Sequence, residues 1–214
     1  MSTTVQVFTF NGFQENTAIA HDGSSAVIFD PGCSNRQEQD MLANYLEENG
    51  LQLEAVLLTH AHLDHVWGLA HVVEKYEVPV YLHKLDQPTL EMGPTSAQLY
   101  GIPGFIPPPT PDHWLEGGEE LSFGSMNFKV LFTPGHAPGH VVFHNEEDGY
   151  VINGDVLFAG SFGRVDLPGG DMETLKRSIF EVMFKLPDTT TIYCGHGPET
   201  TIGQEKMTNY ILNF

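Results

Sequence analysis

The chain is short of basic residues, with nine lysines and arginines against 28 aspartates and glutamates among 214 residues, a formal net charge of −19. A nucleic-acid surface needs clustered lysine and arginine side chains that neutralise phosphates. This excess of carboxylates instead gives a solvated, acidic surface that anionic lipids would repel. We therefore expect neither a nucleic-acid partner nor a membrane partner.

Cysteine is scarce and long apolar runs are missing. The two cysteines, Cys33 and Cys194, do not form a closely spaced pair and indicate no disulfide framework. A reducing, cytoplasmic compartment is the simpler interpretation. No apolar run reaches the length of a membrane span, and residues 1–4 lack the basic and apolar regions that open a signal peptide.

A chain of this length can bury a sizeable core as one domain, and we predict a single domain over residues 1–214. The pattern predicts strands near residues 4–10, 16–21, 26–30, 53–58, 78–82, 119–123, 127–132, 140–144, 149–153 and 190–194. It predicts helices over residues 36–48, 67–76, 171–185 and 203–212. These elements form two β-rich halves, joined near the Gly- and Pro-rich segment 93–115, and indicate a mixed α/β fold.

One short stretch, residues 60–65, concentrates metal-binding side chains directly after the apolar run 53–58. Neutral imidazole and ionised carboxylate are the usual ligands of zinc and iron at open, catalytic positions. Alternation in an extended loop points His60 and His62 the same way, whereas Asp64 and His65 turn toward a second, adjacent point. One ion cannot easily use all four side chains from so tight a loop, so the spacing indicates two neighbouring ions.

A single loop cannot complete two coordination spheres, and three further candidates follow predicted strands. These are His136 in Thr-Pro-Gly-His, Asp155 in Gly-Asp, and His196 in Gly-His-Gly-Pro. Each has a glycine beside it, which lets the backbone turn and approach closely. Loops that leave the carboxyl ends of strands often carry functional residues.

This ordered set of motifs resembles the metallo-β-lactamase superfamily and, within it, the glyoxalase II enzymes, the hydroxyacylglutathione hydrolases. The stretches 110–115, 154–158 and 163–171 are similar to a compact, single-domain subgroup of that family. The resemblance covers nearly the whole chain, from Asp30 to the C-terminal helix. It implies a four-layer αβ/βα sandwich of the α/β (α+β) class.

The resemblance also implies a ligand set for two divalent ions. His60, His62 and His136 would hold the first ion, Asp64, His65 and His196 would hold the second, and Asp155 would bridge the two. Zinc is the expected metal, although His and carboxylate ligands suit iron and manganese as well. The two carboxylates, Asp64 and Asp155, are the catalytic candidates.

Two residues outside that set are further candidates. Asp30, in Asp-Pro-Gly, would orient a metal-bound histidine through its other ring N–H. Arg164 is one of few basic residues, and it would either contact the substrate or form an ion pair with Asp166 or Asp171. His140 and His144 do not match ligand positions, and we expect structural roles for them.

The function that the resemblance implies is a metal-dependent thioesterase of the glyoxalase II type, acting on small S-lactoylglutathione-like thioesters. Zinc lowers the pKa of bound water from about 15.7 to about 7, so a metal-bridging hydroxide would attack the acyl carbon. A thiol with a pKa of roughly 8.5 can leave as thiolate without a general acid. This chemistry favours thioester over β-lactam cleavage.

Other functions remain open. A persulfide dioxygenase of the same fold would use one iron and fewer ligands, and related metallo-hydrolases would cleave another ester, a lactone or a lactam. A non-enzymatic zinc module is disfavoured, because structural zinc sites are usually closed and cysteine-rich. Only Lys206 is basic among the 18 residues after His196. Few cations are therefore expected to contact the carboxylates of glutathione, and we expect weak discrimination between thiol carriers. Segment 92–114 would frame the mouth of the site with apolar surface.

Overall fold

The structure is a computed structural model that describes residues 3–214; the first two residues of the predicted domain 1–214 lie outside it. The strands of the first sheet are β1 Thr4–Phe10, β2 Glu15–His21, β3 Ser25–Phe29, β4 Gln52–Leu57, β5 Val80–His83 and β6 His113–Leu115, in that order. The strands of the second sheet are β7 Glu120–Phe123, β8 Met126–Phe132, β9 Val141–Asn145, β10 Tyr150–Gly154, β13 Thr191–Cys194 and β14 Thr200–Thr201. A separate hairpin is formed by β11 Leu157–Phe158 and β12 Ser161–Phe162.

Seven α-helices connect or cover the described strands. They are α1 Arg36–Glu48, α2 Leu63–Val66, α3 Leu69–Tyr76, α4 Gln87–Glu91, α5 Gly93–Leu99, α6 Met172–Arg177 and α7 Ile202–Thr208. Helix α1 has the bounds that the sequence predicts. It begins where the Asn35 side chain accepts the backbone N–H of Glu38, and it ends before Gly50, which has a φ of 62°. No helix among residues 3–214 has both the length and the apolar character that crossing a membrane requires.

Strand alternation separates two apolar layers in the first half. Ala26 and Ile28 belong to the cluster that includes Leu42 of α1, whereas Val27 and Phe29 belong to the cluster that contacts the second sheet. This division follows from the period of two in a strand, which sends successive side chains to opposite faces.

The second half repeats the arrangement from the other side. Val141 and Phe143 of β9 join the cluster between the sheets, and Val142 packs with Leu175 and Ile179 in a third cluster. The order of layers is therefore helix, sheet, sheet, helix. The four-layer αβ/βα sandwich expected from the sequence is confirmed.

Two predicted helices differ from the structure near the C-terminus of the chain. The predicted helix 203–212 ends at Thr208, because Asn209 is extended and its amide donates to the carbonyl oxygens of Phe158 and Ser161 in the β11–β12 hairpin. The predicted helix 171–185 begins as α6 and continues as a π-helical turn, Ser178–Val182, and a 3-10 turn, Met183–Lys185.

The remaining differences lie in the first half. The predicted helix 67–76 begins at Leu69, and α2 precedes it as a separate short helix. Strand β6 was not predicted; it pairs in parallel with β5 over only three residues and follows a proline run. Because β6 still belongs to the first sheet, the chain crosses to the second sheet through residues 116–119, just after the predicted segment 93–115.

The ends of four strands, β4, β8, β10 and β13, meet at one edge of the two sheets. The backbone N–H of Val141 donates to the carbonyl oxygen of Thr59 over 2.9 Å and so links the loop after β4 to the second sheet. The N–H of Gly195 donates to the carbonyl oxygen of Gly154 over 2.7 Å, which joins the ends of β10 and β13. These bonds place the loops that carry the predicted ligands side by side.

Phe29 tests the packing between the sheets. Its ring is fully buried, and its centroid lies 5.4 Å from those of Phe128 and Phe143. We expect Phe29→Ala to lower the free energy of unfolding by about 3–5 kcal/mol, because a large cavity would remain. The matched substitution at the partly exposed Phe180 should cost less than about 1 kcal/mol. Chemical denaturation of both variants measures the difference, and equal losses would contradict this account of the core.

Candidate metal centre

The seven predicted ligand side chains lie together where the four strand ends meet. One group of three donors, whose nitrogen atoms lie within 4.8 Å of one another, comprises His60, His62 and His136. A second group with the same spacing comprises Asp64, His65 and His196. The grouping is the one that the sequence predicts for two neighbouring ions.

Two members of the three-histidine group, His60 and His136, are held by contacts to their outer ring nitrogens. His62 Nδ1 lies 2.8 Å from His136 Nε2, so these two atoms face one point. The other nitrogen of His136, Nδ1, lies 2.7 Å from the carbonyl oxygen of Arg164 and is placed to donate to it. His60 Nδ1 lies 3.0 Å from the hydroxyl of Thr59, which leaves its Nε2 facing inward. Such contacts fix the tautomer and ring orientation of a ligating histidine.

The second group has the same construction. His196 Nε2 lies 3.3 Å from Asp64 Oδ2, and His65 Nε2 lies 3.9 Å from the same oxygen. His196 Nδ1 is 3.1 Å from the carbonyl oxygen of Gln14. Gln14 has a φ of 58°, so its backbone is turned to present that carbonyl to the histidine.

Asp155 lies between the two groups. Its Oδ2 is 3.4 Å from His136 Nε2 in the first group and 3.5 Å from His196 Nε2 in the second. Its Oδ1 is 3.5 Å from His65 Nε2. One carboxylate thus faces both groups, which is the geometry expected of a bridging ligand.

Asp30 makes the contact expected from the sequence. Its Oδ2 lies 3.1 Å from His65 Nδ1, on the side of the ring away from the second group. The carboxylate is itself fixed, because the backbone N–H and the hydroxyl of Thr59 donate to it over 2.7 and 2.6 Å. Asp30 therefore orients His65 from behind.

Burial keeps the histidines of the first group in the neutral form. Desolvation lowers the pKa of His62 to about 3 and lowers the pKa of His60 and of His136 below the ordinary range. Burial alone would raise the pKa of Asp155, but the field of His65 outweighs it and the pKa is lowered. Neutral imidazole and ionised carboxylate are the protonation states in which these side chains bind metal ions.

Among the described residues, four buried side-chain atoms have no hydrogen-bond partner: Glu15 Oε1 and three atoms of the predicted ligands, His60 Nε2, His65 Nε2 and Asp155 Oδ1. Buried polar atoms are nearly always satisfied, and leaving one unpaired costs about 1–3 kcal/mol. The three ligand atoms point into the predicted ligand set. The residues present therefore fit a pair of divalent ions, which would satisfy these atoms.

Glycine is required where the ligand loops touch. A Cβ atom on Gly195 would collide with the Asp155 carboxylate, and one on Gly154, whose φ is 51°, would collide with the Thr59 side chain. The glycines beside the predicted ligands thus permit the close approach inferred from the sequence.

Two supporting residues lie outside the predicted site. Asp86 is fully buried and accepts the backbone N–H groups of Ala61 and Gly139 over 2.6 and 2.8 Å. His140, for which we expected a structural role, accepts the N–H of Asp155 at its Nε2 over 3.1 Å. No sequence motif identifies Asp86, since it lies in a 3-10 turn after β5 and its contacts in the two distant loops are with backbone N–H groups.

A cavity of about 490 Å³ opens over the two groups, with side chains of His62, Asp64, His136, Asp155 and His196 in its wall. Of segment 92–114, which we expected to frame the mouth, Met92, Ser96, Leu99 and Tyr100 line the cavity, whereas residues 101–114 do not.

Arg164 also lines the cavity. We expected it either to contact the substrate or to form an ion pair, and the structure contains the ion pair with Asp166. Its guanidinium binds both carboxylate oxygens of Asp166 over 2.6 and 2.7 Å.

Residues 10–196 match the family model described as the metallo-β-lactamase superfamily. The chain belongs to this superfamily. It is accordingly a metal-binding hydrolase of the metallo-β-lactamase fold.

Three similar proteins are informative. The chain is 39% identical, over 98% of each sequence, to "Hydroxyacylglutathione hydrolase GloC" of Haemophilus influenzae. It is 37% identical to the solved structure of the BLEG-1 B3 metallo-β-lactamase, with a TM-score of 0.87 and coverage of 99% of this chain and 100% of that one. It is 42% identical to TTHA1623, solved in a di-iron-bound form, with a TM-score of 0.86 and coverage of 96% and 98%.

Asp155 offers a direct test of the two-ion arrangement. We expect the wild-type protein to hold two ions per chain, about 3.5 to 4 Å apart. The Asp155→Asn variant should retain fewer than one ion per chain after dialysis, because it lacks the negative charge that both groups share. Elemental analysis measures the metal content, and circular dichroism should show an unchanged fold. The matched change of the exposed Asp166 to Asn should leave the metal content at two. Full loading of Asp155→Asn would remove the bridging role.

Proposed function

We propose that the protein is a two-metal thioesterase of the glyoxalase II type that hydrolyses small S-lactoylglutathione-like thioesters. The observation that carries this proposal is the position of Asp155 between two complete groups of three donors. The likeness to the hydroxyacylglutathione hydrolase of Haemophilus influenzae over 98% of both chains supports it.

The chemistry divides between the ions and the residues of this chain. Bound divalent ions supply a water of lowered pKa and polarise an acyl oxygen. The His60, His62 and His136 side chains remain neutral, and His60 and His136 hold their ring orientation through outer contacts. Asp64 and Asp155 supply negative charge that offsets the repulsion between the ions. We propose zinc for both positions, and the di-iron form of TTHA1623 makes iron the strongest alternative.

The leaving group favours a thioester. Among the described residues that line the cavity, every histidine and carboxylate belongs to the proposed ligand set, so none is free to protonate a departing nitrogen. A thiol with a pKa of roughly 8.5 leaves as thiolate and needs no such proton. An amine leaving from a lactam does need one.

Hydrolysis of a β-lactam is the second candidate, favoured by the 37% identity to the BLEG-1 enzyme. A persulfide dioxygenase, with one iron, is less well supported, because such an enzyme would leave the second group of Asp64, His65 and His196 without a role. For all candidates we propose a small-molecule substrate and a cytoplasmic location, with no nucleic-acid or membrane partner, in keeping with the net charge of −19.

The thiol carrier is expected to contribute little binding energy when it is glutathione. Arg164 is the one lysine or arginine among the described residues that line the cavity, and Asp166 already occupies its guanidinium. The two carboxylates of glutathione would therefore compete with Asp166 for Arg164 and would face a strongly acidic protein. Weak uniform binding raises KM more than it lowers kcat.

Steady-state kinetics on the metal-loaded protein test the proposal. The panel consists of lactoyl thioesters of glutathione and of a short neutral thiol, a lactone and a β-lactam. We expect both thioesters to be hydrolysed, with kcat/KM values within about tenfold of each other, and removal of metal by a chelator to abolish turnover.

Faster turnover of the β-lactam than of either thioester would replace thioesterase by lactamase as the function. A preference for glutathione of a hundredfold or more, worth about 2.7 kcal/mol, would show that the chain has a carrier site formed by other residues. Thioester turnover that survives complete removal of metal would contradict the proposed chemistry.

A further inference from the structure

One side of the cavity is formed by apolar side chains that remain partly in water. Leu99 and Tyr100 at the end of α5 are 82% and 48% exposed, and Phe13 in the turn after β1 is 39% exposed. The Phe13 and Tyr100 rings pack edge to face with centroids 5.2 Å apart. The apolar side chains thus form a continuous wall at the mouth of the metal centre.

The opposite side comes from the β11–β12 hairpin. Phe158 and Phe162 line the cavity, and the Phe158 ring packs edge-on against the proposed ligand His196 at 6.0 Å. The apolar surface therefore starts at the reacting centre and extends outward. We refer to Phe13, Met92, Leu99, Tyr100, Phe158 and Phe162 as the apolar groove.

The size of the groove exceeds the need of a small polar acyl group. A three-carbon hydroxyacyl group would occupy little of a cavity of about 490 Å³. Exposed apolar patches beside polar groups commonly mark ligand-binding grooves. Arg164 is the one lysine or arginine in the described walls, and its guanidinium already contacts Asp166, so an anionic ligand would have to compete with that carboxylate. An uncharged, apolar chain is the occupant that matches this surface.

We propose that the apolar groove binds a hydrocarbon chain of the substrate, so that thioesters that carry a medium-length apolar group are preferred over the lactoyl thioester of the same carrier. The inference rests on the proposed thioesterase function, and it assigns to that function a substrate class. The chain would lie along the groove on either the acyl or the thiol side of the scissile bond.

Two substrate series test the groove on the metal-loaded protein. In the first, acyl groups of two to eight carbons are attached to N-acetylcysteamine, a neutral thiol; in the second, acetyl groups are attached to alkanethiols of the same lengths. We expect kcat/KM to rise about threefold to fourfold per methylene in one series, as burial of a methylene predicts. All substrates are used below their micelle-forming concentrations.

Variants and a binding measurement complete the test. Leu99→Ser should reduce the increase per methylene, whereas Met207→Ser, at a 75% exposed residue outside the cavity lining, should not. Calorimetry of acetate, hexanoate and octanoate measures the affinity of the groove for an acyl chain without turnover. We expect the longer acids to bind more tightly. A flat series in both kinetics and calorimetry would overturn the groove. Absence of any thioester turnover together with tighter binding of octanoate would retain the groove and overturn the thioesterase.

A different observation concerns Asp86. Its carboxylate accepts the N–H of Ala61, which lies between His60 and His62, and the N–H of Gly139, in the loop that carries His136. A Cβ on Gly139 would collide with the backbone of Asp86, so the two segments are in direct contact. Burial raises the pKa of Asp86 to about 6, and the N–H groups of Gly139 and Ala61 oppose that rise because they stabilise the ionised carboxylate.

We infer that Asp86 is a positioning residue that sets the distance between the two loops of the three-histidine group. Asp86→Asn is nearly isosteric, but its amide can accept at only one oxygen, so one loop loses its anchor. The affinity of the three-histidine group should fall tenfold or more, the range found when outer contacts of metal ligands are removed. The second group should change by less than twofold.

Each group can be measured alone by titration with Co²⁺ and by its visible spectrum. Asp86→Asn in a His196→Ala background reports on the three-histidine group, and the same change in a His62→Ala background reports on the second group. Asp112→Asn is the control, because Asp112 also accepts a backbone N–H, that of Val80, over 2.9 Å. Equal weakening of both groups, or no weakening, would overturn the inference. If neither Asp86→Asn nor Asp86→Ser folds, Asp86 is a residue of the fold and not of the site.

Discussion

The structure depends on holding imidazoles and ionised carboxylates close together in a largely buried place. His60 Nε2, His65 Nε2 and Asp155 Oδ1 are buried without a hydrogen-bond partner in the described part of the chain, and such atoms destabilise a fold unless the surroundings hold them. The outer contacts of Asp30, Thr59 and the backbone carbonyls fix the rings of His60, His65, His136 and His196, and the apolar layer between the sheets supplies the stability. The surrounding chain thus holds these ligand side chains in place.

The cavity combines this rigid floor with walls of a different kind. Its floor is formed by ligand residues that are buried or partly buried, whereas its rim contains side chains such as Leu99 and Tyr100 that remain largely in solvent. Chemistry common to the superfamily would depend on the floor. Selection among substrates would depend on the rim, where sequence can change without disturbing the ligand geometry.

Much of the fold and the grouping of the seven ligands could be predicted from the sequence, because the ligand motifs are short, ordered and joined to strand ends. Their assignment to two groups with Asp155 between them also relied on resemblance. Other features could not be predicted. Asp86 acts on backbone N–H groups 25 and 53 residues away, and Asn209 interrupts a helical pattern to satisfy carbonyls of a distant hairpin. Such contacts depend on which loops meet, which local pattern does not encode. For the same reason, the sequence left open whether Arg164 pairs with Asp166 or with Asp171.

Each group of donors is divided between the two halves of the sandwich. His60 and His62 come from the first half and His136 from the second; Asp64 and His65 come from the first half and His196 from the second. An ion in either group would therefore act as a cross-link between halves that are otherwise joined mainly by apolar packing. Ions that bind only the folded chain add to its stability by mass action. Metal supply would then govern how long the protein survives proteases as well as whether it is active, and separately produced halves would need the ions in order to associate.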